Sequence, residues 1–358
     1  MGKHSTPRVE VRDTVIAASG QHVGRVGALA VALGIGAAAF AAPWAASAAP
    51  ATENPAAVDT PATGEGPAPR PATRSNLPAV SVGVAPGIGL SSNMILRTSN
   101  TASARNVGSV AIATGSGSTA TANGFFNTAI ATGTNNRATA SGGYFNTARA
   151  DGINNVAVAG HGNRNTATAT GTGSTAYAGY DPTLYWIEQA NNSRNTATAA
   201  DGAQSFAGVG GSGNSGNTAT AEGEWLLDDG QSRPSLAQAG YLGDNNAGNQ
   251  ATATNGAAGA GVWGDNNTNN TATATNGAAG AGAIGNNNAN NTATATNTGS
   301  SYDPPAGAAA GGGGDNNTNN TATATDPGSY ASAGNLSNGA DGYTADASGG
   351  NTVITPTP

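Results

Sequence analysis

The chain has 358 residues, 55 of them glycine, no cysteine, and a formal net charge of −7. Leu, Ile, Val and Phe together supply 12% of it and charged residues only 9%, which fits neither a bulky hydrophobic core nor a highly charged disordered chain. Without cysteine there are no disulfides or thiolate metal sites, and with nothing basic after Arg233 the footprint of a nucleic-acid-binding protein is missing.

The N-terminus reads as a targeting segment over residues 1–48. Lys3, Arg8, Arg12 and Arg25 form a positive region, residues 26–40 an apolar run, and Ala46-Ser47-Ala48 a small-x-small cleavage pattern. The run is short and glycine-rich for a membrane span, so the expected location is secreted, cell surface or cell wall. Membrane contact is expected only through this segment if it stays uncleaved. Residues 49–78 are rich in Pro, Ala and Thr without hydrophobic period and read as a disordered, extended linker. Residues 79–96 hold Val80, Val82, Val84, Ile88, Leu90, Met94, Ile95 and Leu96, the densest apolar cluster after the leader. A stack of strands needs its open end covered, so residues 79–104 are expected to form an N-terminal cap on the repeats.

The repeat domain is expected over residues 105–326. Ala-x-Ala recurs from Ala111, Ala120, Ala129, Ala138, Ala148, Ala157, Ala167 and Ala176, in steps of 9 or 10 residues. Gly124-Phe125-Phe126-Asn127-Thr128-Ala129 returns as Gly143-Tyr144-Phe145-Asn146-Thr147-Ala148 and as Gly162-Asn163-Arg164-Asn165-Thr166-Ala167. Later copies begin at Ala197, Ala219, Ala251, Ala272, Ala293 and Ala322, with insertions near 180–189, 222–238 and 298–314. A fixed period of this size marks stacked repeats. Period-two alternation gives strands and the Gly/Asn clusters give turns. The implied fold class is all-β: a parallel β-solenoid with coils of about 19–21 residues, each with two strands and two turns. Residues 327–358 are read as a C-terminal tail or cap.

Which face lies inside can be derived from internal repetition. The alanines hardly vary, whereas the residue between them runs Ile112, Thr121, Ile130, Thr139, Arg149, Val158, Thr168, Tyr177. Arg149 and Tyr177 do not both fit a narrow interior, so alanine points in and the variable residue out. Alanine buries little area, leaving cohesion to backbone hydrogen bonds and coil–coil neighbours. Inward asparagines such as Asn127, Asn146 and Asn165 are placed to add an amide ladder.

The chemistry available is sparse. After the leader there is no lysine or cysteine, and one histidine, His161, in a Gly-His-Gly turn. A nucleophilic triad needs a positioned base, so no enzyme, cofactor or small-molecule substrate is expected. Glu222, Glu224, Asp228 and Asp229 cluster in an insertion, where oxygen-ligand calcium binding competes with a solvated loop. The turns at Asp244, Asp265 and Asp315 offer a weaker calcium reading, since the equivalent position Asn286 carries no carboxylate. The sharpest surface feature is Thr271, Thr273, Thr275, then Thr292, Thr294, Thr296, then Thr321, Thr323, Thr325. Stacking would set these in three ranks at about 6.7 Å along a strand and about 4.8 Å between coils. Arg149 with Asp151, Glu222 and Gln250 are expected to break the array earlier, and the 298–314 insertion to interrupt the stack's turns. Outward glycine in Ala279-Gly280-Ala281-Gly282 marks a face for self-association. Tyr180, Tyr185 and Trp186 are placed either to project from their insertion or to cap the solenoid locally.

These threonine arrays resemble those of β-solenoid ice-binding proteins. Residues 111–179 resemble the head repeats of trimeric autotransporter adhesins, with a different repeat length and no counterpart of the stalk and barrel. As a whole, leader, Ala/Pro linker and glycine-rich repeats resemble exported Ala/Gly/Asn/Thr-rich repeat proteins of mycobacteria and related actinobacteria. The expected function is a non-catalytic structural or adhesive protein, self-associating or contacting a cell-envelope or host surface. Ice binding and calcium-dependent binding are the alternatives.

Overall fold

A computed structural model of the chain describes residues 79–84, 101–184, 187–226, 232–297, 306–334 and 337–355. The expected signal peptide (1–48), linker (49–78) and residues 85–100 of the cap lie outside the described residues. The protein is an all-β parallel solenoid of about 11 turns, whose successive strands alternate between two 12-stranded sheets. Sheet I carries Val110–Ser116, Thr128–Thr134, Thr147–Ile153, Thr166–Thr172, Thr196–Ala200, Thr218–Glu222, Gln250–Thr254, Thr271–Ala274, Thr292–Ala295, Thr321–Ala324 and Thr344–Ala347. Sheet II starts at Thr101–Arg105 and ends at Thr352–Thr355.

Alanine lines both inner faces. In sheet I, Ala111, Ala129, Ala148, Ala167 and Ala197 lie opposite one another in register, and the series continues through Ala219, Ala251, Ala272, Ala293, Ala322 and Ala345. All are buried in one continuous alanine core shared with the sheet II series. The residues between them face outward, where β-branched threonine suits an extended backbone. Arg149 has 57% of its side chain exposed and pairs with Asp151 on the same strand.

The turns repeat one device. A residue with left-handed φ precedes an inward Asn or Ser: Phe126 (57°) before Asn127, Asn135 (54°) before Asn136, Arg194 (60°) before Asn195, Asn269 (52°) before Asn270. Glycine and asparagine tolerate this conformation best. The buried asparagine then joins coils. The Asn146 backbone N–H donates to Asn127 Oδ1 (2.8 Å) and that of Asn165 to Asn146 Oδ1 (2.9 Å). The same bond links Asn195, Asn217, Asn249, Asn270, Asn291 and Asn320 in turn, and ends on the Tyr343 N–H. The expected amide ladder therefore runs almost the length of the rod. Close approach also matters at Gly133, where an added Cβ would lie 2.2 Å from the Gly152 carbonyl oxygen.

Two-strand coils hold only for the first part. From Ser193 onward a third short side appears, with parallel bridges joining Ser193, Ser215, Ala247, Thr268, Ala289, Thr318 and Asp341. It brings a second asparagine ladder through Asn192, Asn214, Asn246, Asn267, Asn288 and Asn317, closing on the Ala340 N–H.

Sheet II departs from the expectation that outward residues meet solvent. Val158, Phe206 and Gln238 point outward yet are buried, as are Gly259 and Gly280. After the later strands a left-handed glycine, such as Gly208, Gly240 or Gly261, turns the chain back over the sheet. A Cβ on Gly259 would lie 2.6 Å from Val262 Cγ2. Phe206, Val209, Leu236, Tyr241, Val262 and Leu184 thereby form a second apolar cluster outside the alanine core. The glycine face expected to self-associate is thus covered by the protein's own chain.

The ends are also closed differently from one another. Ala79–Val84 pairs antiparallel with Val110–Ser116, with Val82 opposite Ile112, and covers the first edge of sheet I. Beyond residue 326, where a tail or cap was expected, Tyr330–Ala333, Thr344–Ala347 and Thr352–Thr355 continue both sheets in parallel.

The inside–outside assignment makes a direct prediction. Ala148→Leu should destabilise by about 1–3 kcal/mol, because a close-packed interior must move to admit it. Arg149→Leu should stay within about 0.5 kcal/mol, as for other exposed sites. Urea melts of the two variants decide the matter, and equal costs would invert the assignment.

Candidate functional site

The predicted threonines lie on the outer face of sheet I. Thr271, Thr292 and Thr321 are in register, as are Thr273, Thr294 and Thr323. Thr275, Thr296 and Thr325 continue the third rank just past the strand ends, each donating its backbone N–H to the next coil. The array is longer than expected. Its central rank runs unbroken through Thr168, Thr198, Thr220, Thr252, Thr273, Thr294 and Thr323. The first rank runs from Thr128 to Thr344, with Gln250 its one interruption. Arg149 and Asp346 bound the central rank; Glu222 interrupts only the third, and Gln250 only the first.

The 298–314 insertion does not interrupt this face. It leaves after Thr292–Ala295 and returns at Gly307–Ala310 in sheet II, while Thr292 still pairs directly with Thr321. Linear spacing hid this, because residues 29 apart in sequence here are neighbours in space.

The other candidates have structural employment. His161 is exposed, with left-handed φ, its ring stacked on Tyr180 at 3.8 Å and Nδ1 2.6 Å from the Gln189 carbonyl. Leu184 is buried against sheet II, so that part of the 180–189 insertion covers the solenoid; Tyr185 and Trp186 lie outside the described residues. Gln189 pins the segment, accepting from Asp181 N–H (2.8 Å) and donating to the Asp181 carbonyl (2.9 Å). Burial raises the Asp181 carboxyl above the usual carboxylate range, although hydrogen bonds from Thr183 pull the other way. Burial likewise raises the Tyr177 and Tyr241 hydroxyls, and the Asp181 charge adds to both.

Glu222 and Glu224 flank the start of a hairpin formed by Glu224–Leu226 and Ser232–Pro234; Asp228 and Asp229 lie outside the described residues. In the Asp turns each Asp244, Asp265 and Asp315 carboxylate already accepts a backbone N–H from the preceding coil, at 2.7–2.8 Å. Asn286 does the same for Asp265, so an amide substitutes freely for a carboxylate there. Among the described residues no group of three or more His, Asp or Glu is placed to hold a metal ion.

An aromatic corner was not among the expected sites, although its signal lay in the repeat itself. The corner before the first asparagine ladder carries Phe125-Phe126, then Tyr144-Phe145, then Asn163-Arg164, then Ser193-Arg194 in successive coils. Phe125 stacks on Tyr144 at 5.3 Å and Phe126 on Phe145 at 5.2 Å, and all four rings are exposed.

Comparison of the chain with protein-family models, with curated proteins and with solved structures finds no match.

If the threonine face is a presented surface and not a structural clamp, its removal should leave the fold standing. Cross-strand threonine pairs contribute roughly 0.2–1 kcal/mol each. The double variant Thr220→Ala, Thr273→Ala removes the pairs with Thr198, Thr252 and Thr294, four in all, and is therefore expected to lower stability by roughly 1–4 kcal/mol by the same reckoning. Loss of the cooperative thermal transition would mean that the rank holds the solenoid together.

Proposed function

We propose that the protein is an exported, non-catalytic structural or adhesive component of the cell envelope or its surroundings. The solenoid would act as a stiff rod that presents one flat polar face to a surface. The observation that carries this reading is the continuous outer face of sheet I, set on an interior that repeats from coil to coil. At about 4.8 Å per coil the rod spaces its ends by some tens of ångströms with little internal freedom. Threonine suits such contact, since each side chain offers a methyl and a hydroxyl with few rotamers to lose.

Ice binding is the second reading, favoured specifically by the unbroken central rank from Thr168 to Thr323. Its threonines repeat at about 4.8 Å over seven coils, flanked at about 6.7 Å by ranks that are broken at Gln250 on one side and at Ala200 and Glu222 on the other.

Two measurements on the full chain separate the readings. Retention on isolated cell envelope of the producing organism, lost on Thr220→Glu with Thr273→Glu, is expected for the adhesive protein, together with no thermal hysteresis. Ice crystals shaped by micromolar protein, and growing normally with the Thr252→Tyr variant, would put ice binding first. Retention unchanged by the glutamates would remove the threonine face from the adhesive account.

A further inference from the structure

The aromatic corner opens, at its edge, onto a cleft of about 280 Å³ lined by Tyr144, Phe145, Asn163, Arg164, Ser193 and Arg194. We propose that this cleft binds an acidic saccharide, with a sugar ring on the Tyr144 and Phe145 side and its carboxylate held by Arg164 and Arg194. The cleft lies at the corner that leads into sheet I, just before Thr147, Thr166 and Thr196, and takes none of its lining from the threonine ranks.

The backbone of this corner is strained. Phe126, Phe145, Arg164 and Arg194 all take left-handed φ, between 57° and 61°. They occupy the position that is Gly108, Gly216, Gly248, Asn269, Asn290, Asn319 or Gly342 in other coils, each also with positive φ. Bulky side chains are disfavoured there, and four consecutive coils keep them although Gly or Asn serves the same turn elsewhere in this chain. Strain of this kind, retained where the fold does not require it, marks a functional position.

The cleft also carries unpaired positive charge. Neither the Arg164 nor the Arg194 guanidinium has an ion-pair or side-chain hydrogen-bond partner among the described residues; the one such ion pair there is Arg149–Asp151. The acceptor oxygens of the polar neighbours are already engaged. Asn163 Oδ1 accepts the Tyr144 N–H (2.8 Å), and Ser193 Oγ accepts the Asn163 N–H (3.1 Å). The cleft thus presents aromatic rings and two guanidinium forks, which match carboxylate geometry, beside the Tyr144 hydroxyl and the Asn163 Nδ2 and Ser193 O–H donors, which suit sugar hydroxyls. Residues 101–200 hold five arginines against three acids, whereas residues 201–355 hold Arg233 alone against twelve acids. A compact anion is steered toward the first part of the rod, and a long polyanion is repelled by the rest. A bare inorganic anion would leave the rings without a use. A short acidic saccharide uses both chemistries, and nucleic acid fits the surrounding charge less well.

Isothermal titration of the full chain with oligogalacturonate, oligoalginate and oligohyaluronate tests the proposal. Methyl-esterified oligogalacturonate, inorganic phosphate and a single-stranded oligodeoxynucleotide serve as competitors. At least one uronate is expected to bind, with affinity falling as salt rises and lost on esterification. Phe145→Asn, and Arg164→Asn with Arg194→Asn, should each weaken it at least tenfold. Because other coils place Asn at this position, these variants should melt no lower than the parent, which separates lost binding from lost fold. The proposal is overturned if none of the three uronates binds, if the variants bind unchanged, or if phosphate or the oligonucleotide binds as tightly.

Discussion

A solenoid corner leaves a backbone N–H that the parallel strand ladder does not pair, and an unpaired buried N–H costs about 1–3 kcal/mol. Here the cost recurs at every coil. The inward asparagine meets it by offering Oδ1 to the N–H of the corresponding asparagine in the next coil: Asn217 Oδ1 accepts, at 3.1 Å, the backbone N–H of Asn249. Asn249 Nδ2 donates in turn to Asn217 Oδ1 and to the Asn267 carbonyl, at 3.0 and 2.8 Å. One side chain thus joins three coils and satisfies the turn. An alanine core contributes little per side chain, so register depends heavily on these amides and on the strand ladders. Removing one link leaves buried groups in two neighbouring coils without partners.

The two long ladders differ in how completely they are satisfied. The ladder through Asn195 and Asn320 pairs side-chain amides with one another along its length. The other leaves the Nδ2 groups of Asn246, Asn288 and Asn317 buried without a partner. The first therefore holds register more strongly, and the third side of the coil is the weaker seam. Because the interior carries the fold, the outer face of sheet I is free to bear Thr, Arg, Gln or Glu. Sheet II uses its outside differently, as the floor of a second apolar cluster around Phe206 and Tyr241.

The solenoid, its alanine interior and the ladder through Asn127, Asn146 and Asn165 were legible in the sequence because each is a local pattern repeated at fixed spacing. Three features were not. The cover over Gly259 depends on the chain reversing at Gly261, which brings Val262 back over a position three residues earlier. Composition alone presents that glycine as exposed. The length of the threonine array depends on register across insertions, and Thr252 and Thr220 become neighbours only once the 224–234 hairpin is looped out. The aromatic corner was visible as a repeat, but the left-handed φ of Phe126 and Phe145 is a property of the folded turn.

Hydrogen exchange of the asparagine side-chain amides, followed by NMR in the full chain, tests the ladder most directly. The account predicts that the Nδ2 protons of Asn217, Asn249, Asn270 and Asn291 exchange only with global unfolding, and more slowly than those of Asn246 and Asn288. Exchange of all of them at the rate of free asparagine, in a chain that still melts cooperatively, would contradict it.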